Sequence, residues 1–180
     1  MVKGLRNSWC KDELDKIVFL SENDETNYQK YVKRKLREEK DPRDRPDWKK
    51  ERDYWLNDSP MARGNKFNDT AKENDWYDYN EIHLENGKRL DSYAPIVSRK
   101  ATDLDDITEE TYREYLKEMQ DKYPAGTIIR SNKYKDELDG QPLAGKQILE
   151  IPDSNLNSPN IEAYKKIAAE YGIELGFRGE

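Results

Sequence analysis

Four residues within one short stretch have the types and spacing for phosphate chemistry: Glu81, Asp91, Ser98 and Lys100. Asp91 falls at the end of one strand-like run, and Lys100 ends the next. A carboxylate can hold a divalent ion, which lowers the pKa of a bound water and offsets charge on an attacked phosphate. A lysine beside it can orient that water or neutralise the phosphate. Ser98 and Lys100 share one face of their strand, because strand side chains alternate with period two. Glu81 is a candidate second ligand.

Other chemistries have less to stand on. The chain has one histidine, His83, so a multi-histidine metal site is excluded. As a lone general base in a metal-free ribonuclease, His83 has a suitable unperturbed pKa but no partner histidine. The single cysteine, Cys10, excludes an internal disulfide and a cysteine-based zinc site. No glycine-rich phosphate loop is present, which argues against P-loop nucleotide hydrolysis.

The elements that must position these residues read as follows. Asn86-Gly87 is a strong hairpin signal, since both central residues of a type I′ turn need φ > 0. It predicts strands over 80–85 and 88–93. With a two-residue loop, Glu85 faces Lys88, Ile82 faces Asp91, and Glu81 lies opposite Ser92. After Pro95 a third strand is expected over 96–100. Before the hairpin, Pro60 opens a helix to Glu73, with Asn57 or Ser59 as its cap. After the strands, Thr108 caps a helix whose stripe is Tyr112, Tyr115, Leu116, Met119 and Tyr123. A short strand over 127–130, a loop over 133–145 and a strand over 146–151 come next. Ser158-Pro159 opens a last helix, closed by Gly172, and a strand follows over 173–177. Helix, three strands, helix, strand, helix, strand makes a mixed sheet flanked by helices, an α+β fold.

Toward the N-terminus, Tyr28, Tyr31, Val32 and Leu36 predict a helix over 24–40, and a weaker pattern predicts one over 12–20. The run DPRDRPD, 41–47, is a break. It divides a helical extension, 1–45, from a main domain, 46–180. Between Tyr28 and Asp53 basic residues outnumber acidic ones, which fits a phosphate-facing arm or a solvated helix face. The chain as a whole carries a net charge of −6, unlike a general nucleic-acid coat protein. With 39% charged residues it borders on disordered compositions, but 12 Tyr and 4 Trp can build a core. No signal peptide and no membrane span are expected in this chain.

The order of elements from Pro60 resembles the αβββαβ core of the restriction-endonuclease-like, PD-(D/E)XK, fold. Asp91 matches that family's Asp and Lys100 its Lys, while Ser98 stands where the family has an acid. The resemblance implies Mg²⁺ or Mn²⁺ as the ion, with Asp69 or Glu73, on the helix before the strands, as a further ligand. The chain is also similar to C-terminal toxin modules of bacterial polymorphic toxins of the Rhs and LXG types. RDYWLNDSPMARGNKFN, YNEIHLENGKRLDSY, IVSRKATDL, IRSNKY and GKQILEIPDSN carry that likeness, with Ala94-Pro95 where the group often has Gly-Glu. The resemblance implies a metal-dependent nuclease, secreted as an effector module and acting on nucleic acid in the cytoplasm of a target cell. It further implies a cognate immunity protein as partner. The alternative it leaves is a catalytically degenerate nuclease fold that serves as a protein-interaction module.

Overall fold

The computed structural model describes residues 20–180. Cys10 and the helix expected over 12–20 lie outside the described residues, Leu20 excepted. The chain divides into two compact units, one ending at Ser59 and one spanning Pro60–Glu180.

In the first unit, α1 (Glu22–Arg37) starts at Ser21, whose hydroxyl accepts the Asp24 N–H. α2 (Arg45–Asp53) starts at Asp44, which accepts the Asp47 N–H, with Pro46 in the first turn where no N–H partner is needed. DPRDRPD therefore holds the turn between two helices and the first residues of α2, which belongs with α1 rather than with the sheet. Tyr28 and Trp48 are buried and meet edge-on at 5.3 Å. Both nearby tyrosines grip the turn: Tyr28 donates to the Arg43 carbonyl at 3.0 Å, and Tyr31 accepts the Arg43 N–H at 3.0 Å. Arg45 forks onto Glu25 at 2.9 and 2.8 Å. α2 runs on into a π-helical turn, Tyr54–Asp58, closed by the Ser59 N–H on the Tyr54 carbonyl at 2.8 Å.

The second unit has the α+β architecture expected from the sequence, a five-stranded mixed sheet flanked by helices. α3 (Pro60–Glu73) precedes β1 (Tyr79–His83), β2 (Arg89–Tyr93) and β3 (Ile96–Arg99). α4 (Glu109–Lys122), β4 (Gln147–Pro152), α5 (Ile161–Glu170) and β5 (Ile173–Arg178) complete it. The strands lie in sequence order, with β2 antiparallel to both neighbours and β3, β4 and β5 parallel. Thr108 caps α4 as expected, its hydroxyl accepting the Thr111 N–H. Segment 127–130 forms two isolated bridges, Leu84 with Ile129 and Ile128 with Pro142, rather than a strand. No helix among the described residues is long and apolar enough to cross a membrane.

The hairpin is present, but its loop is one residue longer than expected. Leu84 N–H bonds the Lys88 carbonyl, and the Gly87 N–H returns to the Leu84 carbonyl. Glu85, Asn86 and Gly87 thus form a three-residue loop, with Gly87 at φ 76°. Asn86 is held elsewhere: its amide donates to the Lys122 carbonyl and its oxygen accepts the Lys88 N–H. The register shifts by one as a result. Ile82 faces Leu90, Asn80 faces Ser92, and Glu81 rather than Ile82 comes level with Asp91.

Ile96, Leu149, Ile151, Ile173 and Leu175 of the sheet join Tyr112, Leu116 and Met119 of α4 and Ile167 and Ala168 of α5 in one buried cluster. Along β3 the pleat sends Ile96 into this cluster and turns Val97 and Arg99 the other way. Arg99 and Glu150, level with each other on β3 and β4, form an ion pair whose side chains are each only 1% exposed. The pair is closed by hydrogen bonds. Arg99 Nε reaches Glu150 at 2.8 Å, Nη2 reaches the Ser92 hydroxyl at 2.9 Å, and Nη1 reaches Asn68 Oδ1 at 3.3 Å. Glu150 also accepts from the Tyr77 hydroxyl and from Arg178. Beside it, β5 passes close to β4 at Gly176, where a Cβ would stand 2.8 Å from Ile148 Cγ2 and 3.2 Å from Glu150 Cγ.

Breaking one side of a buried ion pair leaves the other charge uncompensated, a loss of about 3–5 kcal/mol. Glu150→Ala should lower the urea-unfolding free energy by that order. Replacing both partners, Arg99→Met with Glu150→Leu, should lose less than Glu150→Ala alone. A double variant weaker than the single would show that the pair's hydrogen bonds, not its charges, hold β3 to β4.

Candidate active site

β3 and β4 are locked at Arg99 and Glu150, and the Lys100 N–H continues the ladder onto the Glu150 carbonyl at 2.9 Å. The loop that follows is fixed by buried Asn155, which accepts the Leu104 N–H at 2.7 Å and donates to the Thr102 carbonyl at 2.9 Å. Lys100 is thereby carried on a stiff strand end. There it borders a cleft of about 250 Å³ lined by Asp91, Ser98, Lys100, Tyr115, Glu118 and Lys122, among others.

Asp91 reaches this cleft from β2. Its Oδ2 accepts the Arg99 N–H at 2.7 Å, and its Oδ1 has a long contact, 3.4 Å, to Asn68 Nδ2. Asp91 makes no ion pair among the described residues. Burial pushes its carboxyl above the ordinary aspartate value, against the Arg99 N–H, the Arg99 charge, Asn68 and Lys100, which all pull it down. A half-buried carboxylate without a paired cation, facing a cleft, is the kind of group that functional sites hold.

Lys100 Nζ lies 2.7 Å from Glu118 Oε2 and 4.9 Å from the centre of the Tyr115 ring. Lys122 bonds the other oxygen of Glu118. Burial raises the Glu118 carboxyl, but the two lysines outweigh it and hold Glu118 below the ordinary glutamate value. Tyr123 closes the floor of the cleft, donating to the Arg89 carbonyl at 2.9 Å. Burial, then the charges of Asp91 and Glu118, pushes its hydroxyl pKa well up, so it stays protonated. Ser98 is buried and lines the same cleft.

Of the residues singled out from sequence, Asp91, Ser98 and Lys100 are brought together, and Glu81, Asp69 and Glu73 stand apart from them. Glu81, at φ 59°, is turned to Lys72 at 3.1 Å and Arg89 at 3.3 Å. Asp69 pairs with Lys72 on α3 with 64% of its side chain exposed, and Glu73 is exposed at the end of that helix. His83 is exposed at the end of β1, opposite Arg89. Among the described residues no three or more His, Cys, Asp or Glu side chains come together as a metal-binding group. The residue that sequence reasoning missed is Glu118. Its signal was available: Tyr115, Glu118 and Lys122 recur at three and four residues, one face of α4 beside the buried Met119. Comparison with family models, with curated proteins and with solved structures finds no match for this chain.

The Asp91 geometry has a consequence for stability. A carboxyl raised in the folded state binds protons more tightly there than in the unfolded chain. Its contribution to stability therefore falls as pH rises from the ordinary value of 3.8 through the raised one. Asp91→Asn removes that loss and keeps an acceptor for the Arg99 N–H. In metal-free buffer at neutral pH the variant should melt at or above the parent temperature, with the gap closing in acid. Melting well below the parent would show that the Arg99 N–H needs a full negative charge opposite it.

Proposed function

We propose that this cleft is the active site of a metal-dependent nuclease, with Glu118 supplying from α4 the acid that Ser98 replaces on β3. The observation that carries the reading is Asp91: a desolvated carboxylate without an ion pair, in one cleft with Lys100 and Glu118. The element order from Pro60, helix, three strands, helix and strand, supports the αβββαβ core that the sequence resembles.

Two carboxylates suit Mg²⁺ or Mn²⁺, because Mg²⁺ keeps several waters and takes one or two protein carboxylates beside substrate phosphate oxygens. Asp91 Oδ1, with only its long contact to Asn68, and Glu118, on release of Lys100 or Lys122, would hold the ion. Once bound, the ion supplies activation of a water and neutralisation of the attacked phosphate. The chain's own residues do the rest. Arg99 N–H fixes the rotamer of Asp91. Lys100, steadied over Tyr115, exchanges Glu118 for a phosphate oxygen as substrate enters. Lys122 and Arg89 line the cleft where they can take flanking phosphates, contacts that position the strand without reading its bases. The toxin-module resemblance adds a secreted effector acting in a target cell and an immunity protein that would cover this acidic and basic mouth.

A second reading has its own observation. Lys100 and Glu118 already satisfy each other, and Ser98 lacks the acid, as expected of a degenerate fold kept as an interaction module. Cleavage of plasmid and tRNA with Mg²⁺, Mn²⁺ or EDTA separates the two. For an active enzyme, Asp91→Ala should reduce the rate by orders of magnitude, since metal activation is worth several kcal/mol of barrier. Lys100→Ala and Glu118→Gln should each reduce it by about 10² or more, the scale of one lost electrostatic stabiliser. Ser98→Ala should change little. A parent that cuts nothing with any divalent ion leaves the interaction module, and parent rates in both Asp91→Ala and Glu118→Gln place the chemistry elsewhere.

A further inference from the structure

The helical unit carries a cleft of its own, of about 550 Å³, lined by residues of α1, the turn after it, α2 and the π-helical turn. Five cations line it, Arg34, Lys35, Lys40, Arg43 and Arg52, against two acids, Asp41 and Glu51; Arg43 is paired with Glu51 and Arg52 with Asp24, at 3.3 Å, which leaves Arg34, Lys35 and Lys40. Glu38 is the shared partner of three of them: Arg34 at 3.9 Å, Lys35 at 3.5 Å and Lys40 at 3.6 Å. One carboxylate cannot neutralise three cations, so the rim on that side keeps positive charge facing solvent. Arg34 and Lys40 are 60% and 66% exposed at their side chains, free to exchange Glu38 for another anion.

The same cleft presents aromatic rings. Tyr31 and Trp48 lie 6.3 Å apart on its inner side. Trp55 is 55% exposed, although a tryptophan in a two-helix unit is the side chain with most to gain from burial. Its position has a backbone cause. The wide turn at Tyr54–Asp58 interrupts the α-helical spacing after Asp53, and Tyr54, which meets Trp55 edge-on at 5.5 Å, is exposed with it.

Cations along a groove with exposed rings are what single-stranded nucleic acid binds, since phosphates meet the charges and unpaired bases stack on the rings. We infer that the α1–α2 cleft is a binding site for single-stranded nucleic acid, with Trp55 as the stacking platform and Arg34 and Lys40 as phosphate contacts. This deepens the nuclease reading, and rests on it, in that the strand held here is of the class the enzyme would cut. A duplex buries its base faces against one another and offers Trp55 nothing to stack on, so unpaired strands are favoured.

The test is fluorescence anisotropy of a labelled oligothymidylate with the full chain in EDTA. Expected is binding that weakens with salt, and that drops about ten-fold or more in Trp55→Ala and in Arg34→Ala with Lys40→Ala. The double variant should also show a shallower salt dependence than the parent, which loss of folding alone would not produce, and circular dichroism should show the parent's helix content in both. Lys165→Ala, a cation of α5 that lines neither cleft, should bind as the parent does. If the parent cuts no substrate but these losses appear, the site stands and the nuclease reading falls. If the parent cuts and both cleft variants bind as it does, the nuclease reading stands and this site is overturned. Equal affinity for a blunt duplex of the same length would also overturn it.

Discussion

The placement of charge in the second unit depends on the buried pair of Arg99 and Glu150. Two ions with almost no solvent contact are tolerable only when every donor and acceptor around them is met, because the desolvation they suffer is large. Here Tyr77, Ser92, Asn68 and Arg178 complete the set, drawn from the α3–β1 connection, β2, α3 and β5. An arrangement that needs so many partners has few alternatives. It fixes how β3 lies on β4, and so where the backbone N–H of Arg99 points and where Lys100 leaves the sheet. Asp91 takes its orientation from that N–H. The cleft is thus the outer side of a network whose inner side is closed.

That arrangement also explains how so polar a chain keeps a core. Charges are either exposed or satisfied, and among the described residues no buried side-chain nitrogen or oxygen lacks a hydrogen-bond partner. The tyrosines do double duty. Tyr112 and Tyr164 pack edge-on at 4.9 Å, while their hydroxyls donate to the carbonyls of Tyr164 and Leu104. Each ring adds apolar area to the interior and each hydroxyl is met by a backbone carbonyl. A leucine at the same place would supply only the first.

What was legible in the sequence were the local signals with a mechanism behind them. Thr108 caps a helix because its hydroxyl meets a bare N–H, and Pro60 opens one because it has no N–H to lose. Glycine at 87 marks a turn because only the left-handed backbone closes it. From such signals the order of helices and strands could be written down, and Asp91, Ser98 and Lys100 could be placed near one another. The loop length could not. Asn86 is drawn off by the Lys122 carbonyl, a partner thirty-six residues away, and no local pattern announces it. Glu118 was hidden for a related reason. Its role depends on which strand α4 lies across, and helical spacing gives the face but not the neighbour. Glu150 reads from sequence as an ordinary polar position in a strand, since nothing nearby in the chain foretells two arginines.

Gly176 carries a consequence of this packing for how the sheet assembles. In a parallel pair of apolar strands, sliding one past the other by two residues restores the alternation of faces and much of the ladder. Such slips compete with the native pairing. The gap beside Ile148 and Glu150 removes that freedom, because it is too small for a side chain. A slip of β5 by two would push Glu174 or Arg178 into it. One missing methyl group therefore selects the alignment of the last strand, and with it the arrival of Arg178 beside Glu150. The last strand is thus held in register by a contact too close for a side chain as well as by the bonds it makes.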